Sequence, residues 1–162
     1  VYGGPGAYLD RIIAAGFDGV YLDRVDAFDT PDAEESRPMR MADMSNFVQS
    51  LARYARADHP GFIVVAQNGE ELLSDGAYRS TIDGLGKEDL FFGIDGDGVP
   101  NAKADIRASL TPIESLIAAG KPVFLVEYLT KTEQIQSVRQ SAAEVGMPLF
   151  IGDRELNHAQ SR

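Results

Sequence analysis

Residues 16–28 read GFDGVYLDRVDAF, and the fold follows from how this stretch is parsed. A short apolar run, Gly19 to Leu22, stops abruptly on Asp23, and a second acid, Asp26, follows three residues later. The run is continuous rather than alternating, which marks a strand buried on both faces, as in a parallel sheet. The residues before it, Tyr8 to Ala15, place Leu9, Ile12 and Ile13 at helical spacing and close on Gly16, a common helix stop. The unit is therefore helix, glycine, strand, acid.

That unit recurs. Apolar runs at Phe62–Ala66, Ile82–Leu85, Pro122–Val126 and Pro148–Ile151 read as four further parallel strands. Helical patterns lie between them. Phe47–Ala57 puts Phe47, Leu51 and Tyr54 on one stripe; Ile106–Ala119 carries Leu110, Ile113, Leu116 and Ile117; Thr132–Val145 closes on Gly146. The stretches AAGKPVFLV and EVGMPLFI repeat the helix, glycine, link and strand sequence, which is α/β alternation with helical crossovers. The polar stretch Asp29 to Arg40, with two prolines, reads as a loop. Two architectures fit: a doubly wound sheet, which five strands could complete, and a (β/α)8 TIM barrel, which needs about 250 residues. Size favours the first, and the chemistry of the strand ends favours the second.

The chain has 162 residues, 44% of them hydrophobic, enough for one compact domain and too few for two ordinary ones. It carries no apolar run long enough to span a membrane and no signal-peptide pattern at its start. It begins with Val rather than Met, and we read it as a piece of a longer chain. Fifteen basic against twenty-five acidic residues give a formal charge of -10, which opposes binding to a phosphate backbone, so nucleic acid is not an expected partner. The absence of cysteine excludes disulfides, thiolate metal sites and a Cys nucleophile. With His59 and His158 the only histidines, neither a Ser-His-Asp triad nor a histidine zinc site is supported. The chemistry must rest on carboxylates, with no cofactor and no metal expected.

Each strand ends on polar residues: Asp23 and Asp26; Gln67, Asn68, Glu70 and Glu71; Lys87, Glu88 and Asp89; Glu127 and Tyr128; Asp153 and Arg154. In both architectures the carboxyl ends of parallel strands form the ligand face. A single acid at a strand end can equally cap the next helix, and Glu70 or Glu71 fits the first turn of a short helix after Asn68. The alternating Asp95 and Asp97 in GIDGDGVPNAKAD suggest a calcium loop, but the sixth-position glycine is missing and Ile106 falls where the bidentate glutamate belongs. The segment is read as a loop on the substrate side. GGPG at Gly3–Gly6 follows no strand, so it is a turn rather than a phosphate cradle.

Two carboxylates facing a sugar-sized gap are the machinery of glycoside hydrolysis. GFDGVYLDRVDAF, VVAQNGEELL, IDGLGKEDLFFGIDGDG and PVFLVEYL, in this order, resemble the C-terminal two thirds of TIM-barrel glycoside hydrolases of the endo-α-1,4-polygalactosaminidase type. The resemblance covers the chain from Tyr8 to about Asn157. It implies a partial barrel of about five βα units, with residues 1–162 as a single catalytic domain lacking its N-terminal units. It further implies a retaining mechanism with Asp23 as nucleophile and Glu88 as general acid and base, and a cleft lined by Asp26, Gln67, Asn68, Glu71, Asp95 and Tyr128, the last able to stack on a sugar. The implied substrate is an α-1,4-linked galactosamine-rich polysaccharide, whose ammonium groups suit an acidic cleft, and the implied location is extracellular or periplasmic. A five-stranded arc would leave sheet edges and apolar surface uncovered, so self-association or a complementing N-terminal segment is expected. Three alternatives stand beside this reading: a carbohydrate-binding barrel without turnover, a magnesium-dependent α/β enzyme using Asp23, Asp26 and Glu88, and a doubly wound regulatory domain.

Overall fold

The computed structural model describes residues 1–31 and 34–154. Contacts within the chain divide it into two units, Val1–Asp83 and Gly84–Arg162. The fold class is α/β, with five parallel strands separated by helices.

In the first unit, α1 (Tyr8–Ala14) leads into β1 (Gly19–Leu22), and α2 (Arg37–Asp58) crosses to β2 (Ile63–Gln67), which pairs with β1 in parallel. The register sets Gly19 against Ile63 and Leu22 against Ala66. A Cβ at Gly19 would collide with the Ile63 carbonyl, so the two backbones approach this closely only because the residue is glycine. Parity then divides the pair into faces. Val64 and Ala66 are buried on one, while Tyr21 and Ile63 on the other are exposed. A 3-10 turn (Glu70–Ser74) and α3 (Gly76–Thr81) complete the unit.

Helix α2 is longer than the sequence pattern suggests, starting at Arg37 and so taking in the last four residues of what reads as a polar loop. Pro38 is in its first turn, where the missing N–H has no intrahelical partner to lose, and so it starts the helix instead of breaking it. Its buried stripe is Ser45, Val48, Leu51, Ala52 and Ala55, whereas Phe47 and Tyr54 are exposed. Two alanines on the inner face let the backbone approach its neighbours, and the larger rings turn outward. Tyr54 instead donates a 2.6 Å hydrogen bond to Asp10 and packs on Tyr2. Asp75 caps α3 by accepting from the Ala77 N–H at 2.8 Å, and its other oxygen accepts from Ser45 on α2 at 2.6 Å.

In the second unit the order is β3 (Gly84–Glu88), a hairpin of β4 (Phe92–Gly93) and β5 (Gly96–Pro100), α4 (Lys103–Ala118), β6 (Val123–Tyr128), α5 (Thr132–Val145) and β7 (Leu149–Gly152). Strands β3, β6 and β7 are parallel and adjacent in chain order. Val123 and Leu125 are buried on one face of β6, with Ile113 and Leu116 of α4 and Val138 and Ala142 of α5 also buried. The other face carries Phe124 and Phe150, both 40% exposed. Strand β3 is shifted from the expected Ile82–Leu85: Ile82 is buried at the end of α3, and the strand is GLGKE. Two glycines give this segment little strand propensity, and pairing with β6 overrides it. Glu88, Glu127 and Tyr128 are consequently inside strands rather than beyond them.

Candidate functional site

Strand parity assigns the strand-end side chains to faces. In the second unit Gly86 is opposite Phe124 and Glu88 opposite Val126, so Glu88 shares a face with Phe124 and Tyr128, while Glu127 points to the helix-covered side. The contacts agree. The Tyr128 hydroxyl donates to Glu88 Oε1, and Glu127, fully buried, accepts the Phe91 N–H at 2.8 Å.

The turn after Glu88 is held from several sides. Asp89 adopts a left-handed conformation (φ 52°). A Cβ at Gly93, whose φ is +115°, would strike the Asp89 carboxylate. The Asn101 amide donates to the Asp89 and Leu90 carbonyls at 2.8 and 2.9 Å and accepts the Ile94 N–H at 3.0 Å. Arg154 reaches Asp89 with two nitrogens, each 3.2 Å from Oδ2, and its Nε pairs with Asp97 on the hairpin. The same guanidinium lies over the Tyr128 ring at 4.7 Å. Tyr128 therefore presents its hydroxyl to Glu88, and one ring face expected to stack on sugar is covered by Arg154. Burial raises the Asp89 carboxyl, against the pull of Arg154. Burial likewise pushes Glu127 up to about 7, against its Phe91 hydrogen bond, with the Asp89 charge adding to the rise. Tyr128 is raised by burial and by its bond to Glu88. A cleft of about 340 Å³ opens beside this cluster, lined by Tyr128, Lys131, Gln134, Asp153 and Arg154 among others.

The first unit gathers a different set. Asp23 is exposed, and its Oδ1 accepts the N–H of Arg24 at 2.7 Å, with Arg24 itself left-handed (φ 58°). Asp26, in the 3-10 turn Val25–Asp29, lies 3.8 Å from the Arg24 guanidinium. Gln67 ends β2, and Asn68 and Gly69 turn the chain with positive φ. A Cβ on Gly69 would meet Val25 and the Asp26 N–H at ordinary contact distance, so this turn packs against the loop that follows Asp23. Glu71 is engaged by Arg37 at 2.9 Å, and Arg37 also binds Asp29 at 2.6 Å and covers the Phe28 ring. Its carboxylate thus serves a surface ion-pair network. Asp95 is at the exposed tip of the second unit's hairpin. Among the described residues no three His, Asp or Glu side chains gather closely enough to hold a metal ion. No helix there is long and apolar enough to cross a membrane. His158 lies outside the described residues.

Three residues of the second cluster stand outside the expected catalytic and substrate-binding set: Glu127 and Arg154, which the sequence places at strand ends without a role, and Asn101. Glu127 carried a signal: in PVFLVEYL it stands two residues past Leu125, on the core parity, so alternation alone places an acid in the core. Asn101 carried none, and Arg154 only its place after a strand, because its partner Asp89 lies 65 residues away.

The comparisons give these strand ends a family. A model described as glycoside-hydrolase family GH114 matches residues 6–161. The chain belongs to that family. Uncharacterized proteins of Deinococcus radiodurans and Thermotoga maritima are 36% and 35% identical, over 93% and 76% of this chain and 47% and 38% of their own lengths. An uncharacterized protein of Methanocaldococcus jannaschii is 34% identical over 93% of the chain and 47% of its own length. The chain spans about half the length of the curated relatives it matches. Among solved structures, the glycoside hydrolase domain of PelA from Pseudomonas aeruginosa superposes with a TM-score of 0.71 at 21% identity, covering 94% of this chain and 60% of that one. A variant of the same domain gives 0.72. The likeness shows the fold, an α/β chain forming part of a (β/α)8 barrel.

Proposed function

We propose that the protein acts as a retaining glycoside hydrolase on an α-1,4-linked galactosamine-rich polysaccharide, with Asp23 and Glu88 as its carboxylate pair. The observation that carries this reading is the Glu88 carboxyl held by the Tyr128 hydroxyl on the strand face that the helices leave open. Membership of the GH114 family supports the hydrolase class.

In the first step an Asp23 oxygen bonds to the anomeric carbon as the glycosidic C–O bond breaks, and Glu88 gives its proton to the leaving oxygen. In the second, Glu88 takes a proton from water, whose oxygen displaces Asp23 from the same carbon. Tyr128 orients Glu88 in both steps, and the Arg24 N–H fixes Asp23. Asp26, Gln67, Asn68 and Asp95 contribute polar contacts to sugar, and the acidic balance suits ammonium-bearing units. The exposed Tyr21 and Ile63 of the first unit, and Phe124 and Phe150 of the second, support completion of the barrel by a preceding segment of the same polypeptide. A polymer substrate outside the cell implies an exported enzyme.

The test is release of new reducing ends from a galactosamine polymer, with the anomeric configuration of the first product read by proton NMR. Binding without release identifies a carbohydrate-binding barrel; product of inverted configuration removes the nucleophile role from Asp23.

A further inference from the structure

Glu127 is a buried acid that the proposed mechanism does not use. It occupies β6 with no solvent exposure, and its Oε2 has no hydrogen-bond partner among the described residues. A carboxyl group kept in that state costs free energy, since one of its oxygens has lost water without gaining a partner. Its Oε1 accepts the Phe91 N–H, three residues beyond Glu88. The adjacent residue on the same strand, Tyr128, holds Glu88 itself on the opposite face. Two neighbours on β6 therefore grip the two ends of the four-residue segment Glu88–Phe91, one from each side of the sheet. Between the grips lies Asp89, in its left-handed conformation and bound to Arg154.

We propose that Glu127 is a positioning residue for Glu88: by fixing the Phe91 end of this segment from the helix side, it sets where the Glu88 carboxyl meets the Tyr128 hydroxyl. The inference rests on Glu88 having the role given above, but its test does not. Glutamine at 127 keeps a carbonyl oxygen for Phe91 in the same volume, and alanine removes it.

The experiment is NMR of the folded chain at neutral pH with labelled tyrosine, reading the Tyr128 Cζ resonance, which reports what its hydroxyl is bonded to, and the exchange rate of the Phe91 amide. Glu88→Ala supplies the Tyr128 resonance of the broken bond. In Glu127→Ala the resonance is expected to move toward that value, with Phe91 exchanging about tenfold faster, whereas Glu127→Gln stays at wild type. A Tyr128 resonance unchanged in folded Glu127→Ala overturns the proposal. Should that variant not fold, Glu127→Asp, one methylene too short to reach Phe91, takes its place under the same criteria. Where polymer hydrolysis is measurable, Glu127→Ala is expected to lower kcat about a hundredfold with little change in KM, and Glu127→Gln to restore it. Absence of hydrolysis by the full-length wild-type polypeptide would overturn the hydrolase reading and leave the Tyr128 result standing on its own.

Discussion

The two strand-end groups look alike in sequence, each an apolar run closing on acids, yet the structure treats them oppositely. In the first unit Glu70 is buried in its 3-10 turn, but the other strand-end acids face water: Asp23 is tied to a backbone N–H, and Glu71 and Asp29 share Arg37 in ion pairs whose partners are each more than 40% exposed. In the second unit the acids are drawn inward. Glu127 is fully buried, Asp89 is raised by burial, and Glu88 is held by a phenol. Water screens the first group, so its pairings contribute little. Low-dielectric surroundings amplify the second, so each hydrogen bond there changes protonation and geometry.

The largest expected effect tests whether both groups serve one reaction. Asp23→Asn and Glu88→Gln should each lower polymer hydrolysis by about a thousandfold or more, with folding unchanged by circular dichroism. A variant that keeps a tenth of the activity would remove its residue from the pair.

The next prediction separates the groups by burial. The Glu127 carboxyl stands at about 7 in the folded chain against 4.5 for the ordinary group. A folded value above the unfolded one means that stability is fully present below about pH 4.5 and is lost as pH rises through about 7. Urea unfolding should therefore show the wild type losing about 3 kcal/mol relative to Glu127→Gln between pH 4.5 and 8. Parallel pH curves for the two proteins would contradict the burial argument.

Smaller effects follow. Asp75 in the first unit is held below the usual carboxylate range by Ser45 and by the Ala77 N–H. A depressed value gives stability that is present above about pH 4 and lost as pH falls below it. Asp75→Ala should cost about 1 kcal/mol at pH 7 through the lost cap, and its deficit should shrink in acid. Arg154→Ala, at a residue whose side chain is 39% exposed, should cost about 0.5 to 1 kcal/mol and let the Asp89 carboxyl rise further, which carbon-13 NMR would follow. Arg37→Ala should fall within about 0.5 kcal/mol of wild type despite removing two ion pairs. A larger loss from Arg37 than from Arg154 would reverse the contrast between the units.

Much of the frame is legible in the residues. The run Gly19–Leu22 is β1 to the residue, and the glycines at 16, 120 and 146 stand where helices end, because continuous apolar runs and left-handed stops are local properties. The α2 stripe was misplaced because Phe47 and Tyr54 satisfy the helical period as well as Val48 and Ala55 do, and only the neighbours decide which side is inward. Strand β3 was displaced because GLGKE has no propensity of its own.

The sequence by itself determined the α/β alternation, the exclusion of cysteine chemistry, and the family, since periodicity, the lack of cysteine and strand-end motifs are written residue by residue. Tertiary structure alone decided that Tyr128 serves Glu88, that Arg154 covers its ring, that Glu71 is spent on Arg37, and that Glu127 grips Phe91. These contacts join positions 26 to 40 residues apart in sequence, where burial and strand register, and no local pattern, fix the partner.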